Sequence, residues 1–463
     1  MIKNRGGIEL KTSSKNLTEG NITKQLLLFA LPILAGQIFQ NLYNSVDSIV
    51  VGQAVGTTAL AAVSASSDFS MLLIGFFTGL STGAGVLFSN YFGAKNHKAL
   101  HEAIHTAVLF SLIVGVVIAG LGIVLAPLLL QIVNCPADVY AEAMAYLRIY
   151  LVGILFTAIY NVGAGVLRAV GDSHTPFVYL VISSCCNIVL DVLLVVAVPL
   201  GVSGAALATI LSQLVSVVLV FRRMLKTEDV YKLVLKDLRI NPALLKEILR
   251  LGLPAAIQAS LVGISNIFIQ RYINSFGSAA MAGMGAGKKI DRFVGMAAQC
   301  LGLATATFVG QNVGAKKEER AFRGIRVSMT VCFMYVLVVG SVVLVLAEPL
   351  TRIFTSDDAA VAYGVSMIQV MMPFYLFQAA NQVYANAVRG FGKSFVVMLC
   401  SILGMIGCRQ LFLAIAMNIR WDIRILYFSF PFGWICAAVS VFVYYIFAIR
   451  RKYRAEKLEI GTI

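Results

Sequence analysis

Twelve apolar stretches, each long enough to cross a bilayer as a helix, decide what this chain can become. They run over 25–52, 59–92, 103–126, 142–166, 175–198, 203–222, 246–273, 279–312, 324–347, 364–388, 394–418 and 424–449. A bilayer core needs about 20 apolar residues of helix. Within it every backbone N–H and C=O must be bonded internally, which leaves helices or a closed barrel. A barrel would need alternating segments of about ten residues, and the sequence shows none. Only 13% of residues are charged, against about 25% in a soluble protein. The expected fold class is an all-α polytopic membrane protein with twelve transmembrane helices.

The net charge of +15 invites a nucleic-acid partner, but the positions of the cations argue against one. Lys3, Arg5, Lys11, Lys15 and Lys24 precede the first span. Lys95, Lys98, Arg168, the run Arg222 to Lys246, the run Lys316 to Arg326, Arg389, Lys393 and Arg450 to Lys457 all fall on the same side of a twelve-span count. The opposite side holds little beyond Arg352, Arg420 and Arg424. Excess Lys and Arg mark cytoplasmic loops. Both termini are therefore expected in the cytoplasm, with lipid rather than nucleic acid as the partner of the basic surface.

The eight cysteines form no framework. Cys185, Cys186, Cys300, Cys332, Cys400, Cys408 and Cys436 lie within spans and Cys135 in an outer loop, with no CxxC pair. They read as small hydrophobes in helices. The first 24 residues are polar, so no cleavable signal peptide is expected. Asn16 and Asn21 match glycosylation sequons but fall on the cytoplasmic side.

The chain repeats itself. Ala30-Leu-Pro-Ile matches Gly252-Leu-Pro-Ala, and Val55-Gly-Thr-Thr-Ala-Leu-Ala matches Phe276-Gly-Ser-Ala-Ala-Met-Ala. Asn90-Tyr-Phe-Gly-Ala-Lys matches Gln311-Asn-Val-Gly-Ala-Lys, and Leu167-Arg-Ala-Val-Gly matches Val388-Arg-Gly-Phe-Gly. The offset is 221 or 222 residues each time. Six spans per repeat is an even number, so both halves enter from one side and are parallel repeats about an axis along the membrane normal. The expected organisation is a cytoplasmic tail over 1–24, an N-lobe over 25–222, a cytoplasmic linker over 223–245, a C-lobe over 246–449 and a cytoplasmic tail over 450–463. Two six-helix lobes around a central cavity suit alternating access.

Three familiar signals fail. Gly79-Leu-Ser-Thr-Gly fits G-x-S-x-G but sits inside an apolar span, where a nucleophile elbow has no strand to stand on. Its glycines continue a four-residue spacing, Gly75, Gly79 and Gly83, that reads as close helix packing. His97, His101, His105 and His174 lie at or near cytoplasmic loops and offer no catalytic base. Gly283-Met-Gly-Ala-Gly-Lys-Lys has the wrong spacing for a phosphate loop and no following Ser or Thr. No enzyme and no cofactor are expected; an ion gradient is the remaining energy source.

Polar residues inside the spans carry the chemistry. An ionised carboxylate at the bilayer centre costs about 2.5–3.5 kcal/mol on insertion scales. The first half places two such acids at mid-span, Asp47 and Asp191. Gln37, Gln40, Asn44 and Asp47 share one face of the first helix; Ser183, Asn187 and Asp191 one face of the fifth; Thr209, Gln213 and Ser216 one face of the sixth. Pooled carboxylate, amide and hydroxyl oxygens suit a hard cation such as Na⁺. Two neighbouring carboxylates could equally share a proton, and a purely structural hydrogen-bond network remains an alternative.

The second half differs. At an offset of 221, Asp47 falls on Phe268, Asn187 on Cys408, Asp191 on Phe412 and Thr209 on Phe430. Polar residues occur instead at Gln258 and Asn266, at Gln378, Asn381 and Gln382, at Arg409 and Gln410, and at Lys288, Lys289, Asp291 and Arg292. They either line a substrate route or pair near a helix end.

With these residues in view, the chain resembles the multidrug and toxic compound extrusion (MATE) transporters over about residues 20–450. The resemblance rests on Val46-Asp-Ser-Ile-Val-Val-Gly, the two Gly-Ala-Lys helix ends, Leu167-Arg-Ala-Val-Gly-Asp-Ser-His-Thr-Pro and the Asn187/Asp191 pair. It implies export of organic cations and other amphipathic compounds against Na⁺ or H⁺, by a monomer in a bacterial cytoplasmic membrane. Carried over by motif, it implies a cation site at Asp47, Asn187, Asp191 and Thr209, joined by Asn161, and a bending role for Pro32. The polar residues of the spans themselves suggest a substrate cavity along Gln37, Gln40, Asn44, Gln258, Asn266, Lys289, Asp291, Gln378 and Gln382. Some bacterial members also use acids in helices 7 and 10; here those spans offer amides. A lipid-linked precursor flippase of the same broad fold is the alternative that Lys288, Lys289, Arg292 and Arg409 keep open. An intramembrane enzyme would need a nucleophile–base pair or metal set that the spans lack.

Overall fold

The computed structural model describes residues 15–132, 135–453 and 455, without side chains at 48, 57–61, 64–68, 71 and 132. Lys3, Arg5, Lys11 and Lys457 lie outside the described residues. Twelve long helices cross the bundle: α1 Ile22–Ala54, α2 Thr57–Gly93, α3 His97–Ile132, α4 Tyr140–Ala169, α5 His174–Ala197, α6 Gly201–Lys226, α7 Pro242–Asn274, α8 Ser278–Gly314, α9 Glu318–Val345, α10 Asp358–Gly390, α11 Ser394–Ile419 and α12 Ile423–Tyr453. All twelve are long and apolar enough to span a membrane. A short helix, Ala347–Arg352, links α9 to α10. α1 begins and α12 ends at one face of the bundle, where Ile22 and Tyr453 line the same cleft; it is called here the basic end.

The two halves pack alike. In the first, α2, α3 and α6 gather on α4, and α5 lies against α6 and α1. In the second, α8 and α12 lie against α10, and α11 against α12 and α7. The outward faces are bare and apolar: Val124 is 75% and Val345 82% exposed. Lipid, not protein, is their solvent. Local chemistry sets the helix ends. Asn21 and Asn241 cap α1 and α7 by accepting from Lys24 N and Ala243 N. Asn21, a sequon by sequence, is thus an N-cap.

The lobes meet along α2, which packs on both α7 and α8. The Gly75, Gly79 and Gly83 stripe faces Ala259, Ala256 and Gly252 of α7. A Cβ on Gly79 would sit 2.6 Å from Ala256 Cα, so small residues bring these two backbones into contact, as the spacing suggested. Nearer the basic end α2 crosses α8 with exchanged partners. A Cβ on Gly93 would strike the Gln311 carbonyl, and one on Gly314 the Asn90 carbonyl. Under the 221 offset Gly93 corresponds to Gly314 and Asn90 to Gln311, so each residue meets its partner's counterpart. This is the reciprocity of a two-fold interface, realised inside one chain. The left-handed turn that follows falls on Lys95 and Lys316, both at φ 56°; the glycines serve the crossing.

A strap of residues before α1 seals the same end. Leu17 N donates to Gln311 Oε1 (2.9 Å), and Asn312 Nδ2 donates to Leu17 O (3.3 Å). Lys317 Nζ donates to Thr18 O (3.1 Å), and Arg320 Nη2 to Glu19 O (2.9 Å). On the other lobe Lys15 N donates to Val170 O (3.0 Å). Gln311 ties the lobes directly through Nε2 to Ala169 O (2.7 Å).

The half-to-half register changes along the chain. In α1 and α7 the buried pairs Leu26/Ile248, Phe29/Leu251 and Val51/Ile273 share an offset of 222. In α6 and α12 Ala205/Leu426, Ala208/Ser429 and Val220/Val441 share 221. In α5 and α11 the register switches within the helix: Ser173/Ser394 and Ser183/Gly404 stand at 221, whereas Asn187/Arg409, Asp191/Leu413 and Val195/Met417 stand at 222. Between these two sets α11 runs as a π-helix, Ile402–Cys408. A π turn closes i→i+5 bonds and so accommodates an additional residue. α5 has its own π segment later, Val192–Ala197, after which the register returns to 221. The sequence-based mapping is corrected accordingly: Asp47 stands opposite Ile269 rather than Phe268, Asn187 opposite Arg409 rather than Cys408, and Asp191 opposite Leu413 rather than Phe412. Thr209 opposite Phe430 stands.

Gly79→Leu should loosen the α2–α7 seam, at a cost of about 1–3 kcal/mol from overpacking. Thermal unfolding in detergent should show a lower midpoint than wild type. Gly120→Leu, on a surface with nothing within 4 Å of the added Cβ, should leave the midpoint unchanged.

Candidate ion-coupling site

α5 lies between α1 and α6, and this packing brings Asp47, Asn187, Asp191 and Thr209 together. Asp191 is 0% and Asn187 1% exposed; Asp47 is half-buried. Asp47 and Asp191 stand about two turns from the ends of their helices, on the side away from the termini. They are thus nearer that face than the mid-span position the sequence suggested. The two carboxylates lie within electrostatic reach of each other.

The group's hydrogen bonding is incomplete. Asp47 Oδ1, both Asp191 oxygens and both Asn187 side-chain atoms are buried without a partner among the described residues. Leaving a buried polar group unpaired costs about 1–3 kcal/mol, and more when it is charged. Five such atoms in one place are unusual for a folded protein. Neighbouring hydroxyls are committed elsewhere: Ser183 Oγ donates to Ser212 O (2.6 Å) and Thr209 Oγ1 to Ala205 O (3.0 Å). Thr209 Oγ1 keeps lone pairs, so it can accept but not donate. The set is rich in free acceptors, which is what a hard cation or a shared proton requires.

Phenols that the sequence reading passed over complete the wall. Tyr43, one turn before Asp47, hydrogen-bonds Gln40 and feels both carboxylates. Tyr146 on α4 feels the same two charges and is 6% exposed. Its ring stacks on Tyr150 (6.0 Å, 15°), and the Tyr150 hydroxyl bonds Ser70 of α2. The available signal was the four-residue spacing of Tyr43 to Asp47 and of Tyr146 to Tyr150.

Asn161 does not join them. Gly153 of α4 packs on Ile210, next to Thr209, so Asn161 lies about 12 Å further toward the basic end. Its Nδ2 donates to Thr157 O (2.9 Å), and its carbonyl accepts from Ser81 Oγ (2.5 Å).

The proposed cavity residues also disperse. Gln258 is consumed as a strut, donating to Ser401 Oγ (2.8 Å) and accepting from Arg389 Nη2 (2.6 Å). Lys289 lies over the Phe354 ring at 5.0 Å, and Asp291 accepts from the Tyr375 hydroxyl. Lys288 donates to Gln270 Oε1 (3.2 Å). Of the α10 amides, Gln378 keeps a buried, unpartnered Oε1, and Gln382 receives the Asn386 amide on its carbonyl (2.9 Å). Gln37 and Gln40 are half-buried and Asn44 and Asn266 exposed. Lys288 and Lys289, two of the cations that kept a flippase open, are thus engaged by Gln270 and Phe354.

A second cluster, His101, His105 and Asp237, is structural. His105 Nδ1 donates to His101 O (2.7 Å) and Nε2 accepts from Val234 N (2.9 Å). His101 Nε2 pairs with Asp237 (3.1 Å). Both nitrogens of His105 are used, and the cluster pins the α6–α7 linker.

The MatE family model matches this chain twice, over 32–193 and 254–415. The chain belongs to the MATE family of transporters. The two matches begin 222 residues apart, at Pro32 and Pro254, as the repeat requires. Among relatives, the chain is 27% identical over 440 residues to "Probable multidrug resistance protein YoeA" of Bacillus subtilis, covering 93% of this chain and 95% of that protein. It is 27% identical over 390 residues to "Probable multidrug resistance protein NorM" of Thermotoga maritima, covering 83% of each. A solved structure titled "Outward-facing conformation of a multidrug resistance MATE family transporter of the MOP superfamily" superposes with a TM-score of 0.90 at 23% identity, covering 96% of this chain and 100% of that one. The fold is that of the MATE transporters, and the protein is not an enzyme.

Asn187→Leu should remove two unpartnered polar atoms from a buried site. In cation-free buffer its unfolding midpoint should exceed wild type by a few degrees, and the variant should lose any shift on adding Na⁺ or lowering pH. A scan that finds it less stable, with the shift intact, contradicts this account.

Proposed function

We propose that this MATE transporter is an antiporter that exports amphipathic, drug-like organic cations or metabolites and is driven by inward movement of Na⁺ or H⁺. The observation that carries the reading is the set of five buried, unpartnered atoms on Asp47, Asn187 and Asp191. A cation entering there would gain carboxylate, amide and hydroxyl oxygens at once. A proton would let one carboxyl donate to the other. The substrate class follows from the multidrug resistance proteins to which the chain is similar.

The positive-inside rule assigns the basic end to the cytoplasm. The seal formed by the α2–α8 crossing and the strap then closes the cytoplasmic side, and the cation site lies toward the opposite face. This fits an outward-facing state. Ion binding shifts the population between outward and inward states only by its differential affinity for them. An ion that binds the outward state more tightly drives substrate release outside, and its departure inward resets the cycle. Pro32 lies within α1 between the strap and Asp47. It removes one backbone bond there, which makes it the place for α1 to bend.

Purified protein in proteoliposomes, with Na⁺ and pH gradients imposed separately, should export a fluorescent organic cation under one gradient and not the other. Asp47→Asn and Asp191→Asn should each lower the rate at least about tenfold, the loss of roughly 1.4 kcal/mol or more of coupling. Wild-type rates in both variants would overturn the proposal.

A further inference from the structure

The corrected register places an arginine where the second lobe's cation site would be. The N-lobe group Asp47, Asn187, Asp191 and Thr209 has as its counterpart Ile269, Arg409, Leu413 and Phe430. Every acid and hydroxyl is gone, and the one amide has become a guanidinium. Ile269 is 1% exposed, Leu413 0% and Arg409 2%. Arg409 Nη2 donates to Ser265 Oγ (2.6 Å), and its guanidinium lies 5.3 Å from the Phe430 ring centre. Ser265 also accepts from Gln410 Nε2 (2.9 Å). Arg409 Nε has no partner, and Arg409 has no ion pair among the described residues.

We infer that Arg409 is a fixed internal cation, occupying in the C-lobe the position that the exchangeable cation occupies in the N-lobe. The inference rests on the N-lobe reading proposed above and extends it to the other half. The α7, α11 and α12 group stays permanently in its occupied arrangement, and the C-lobe acts as the unmoving partner of the cycle. The chemistry fits this role. A guanidinium stays charged under all working conditions. It supplies its charge without exchange, and a π face and a hydroxyl can hold it without a carboxylate. A buried cation without a counter-ion is costly, and the Phe430 face and the Ser265 hydroxyl offset that cost in a site lined by Ile269 and Leu413. Either acid there would form an ion pair and draw Arg409 away from Phe430. The π segment Ile402–Cys408 is the device that makes the exchange. Its additional residue turns Arg409, rather than Cys408, toward the lobe interior.

The experiment removes the cation and then supplies one in solution. Arg409→Ala in the full chain should lower the unfolding midpoint and transport rate together. Millimolar guanidinium or methylguanidinium should restore both, while wild type shows no response. The same restoration of midpoint should appear in an Asp191→Asn background, where the N-lobe site is disabled. Failure of the inference is thereby separated from failure of the N-lobe reading. A role limited to tying α7 to α11 predicts loss without restoration. That result, or an Arg409→Ala protein equal to wild type in midpoint and transport, overturns the inference.

In case Arg409→Ala does not fold, a triple variant, Ile269→Asp with Arg409→Asn and Leu413→Asp, transplants the three N-lobe residues Asp47, Asn187 and Asp191. It should raise the number of coupling cations bound per chain from one to two, measured by equilibrium binding. A count unchanged from wild type in a folded triple variant also overturns it.

Discussion

Buried polar atoms without a protein partner are expensive, and Asp47, Asn187 and Asp191 carry five of them among the described residues. The hydroxyls of Ser183 and Thr209 do not relieve that cost, because they spend their protons on helix carbonyls. The surrounding helices must therefore hold the group in place against its own tendency to find partners. α5 does so from between α1 and α6, and Tyr146 and Tyr150 close the side facing α4. The site is stable as architecture and unstable as chemistry. In the reading proposed above, an incoming ion resolves that tension.

The duplicated frame lets one half carry such a burden. Both halves share the α2–α8 crossing, with Gly93 against Gln311 and Gly314 against Asn90. Each half contributes the same contact to the seal, and the contacts needed to rock two bodies against each other are identical on both. What differs lies away from the crossing, in α5 and α11. Duplication fixes the joint and leaves the interiors free to diverge, one toward an open set of acceptors and the other toward a filled one.

The sequence disclosed the parts of this structure that lipid and helix geometry dictate. Twelve spans were legible because a bilayer tolerates few backbone solutions. Asp47, Asn187, Asp191 and Thr209 were legible because acids and amides are conspicuous in apolar runs and a four-residue spacing puts them on one face. Tyr43, Tyr146 and Tyr150 were hidden, since an aromatic in a membrane helix looks like packing until its hydroxyl is seen beside a carboxylate. Asn161 was misplaced because a polar residue on a neighbouring helix says nothing about depth. Gln258 was read as a cavity residue, but Arg389 and Ser401 already claim it. The one-residue shift in α11 was invisible for a different reason: a π turn has no reliable residue signature, and only the buried pattern before and after it reveals the slip.

The strap and Asp47 belong to one helix. α1 begins immediately after Gly20, where Leu17 and Thr18 are wedged against Gln311, Asn312 and Lys317. Asp47 lies roughly 38 Å further along the same axis, at 1.5 Å per residue. A straight helix transmits displacement along its axis without attenuation, so a small axial movement at Asp47 arrives at the strap at full size. Hydrogen bonds of 2.9–3.3 Å between the strap backbone and the side chains of Gln311, Asn312 and Arg320 break when stretched by about an ångström. α1 is therefore a pushrod, with its load at one end and its release at the other. Any bend at Pro32 subtracts directly from the stroke that reaches the strap.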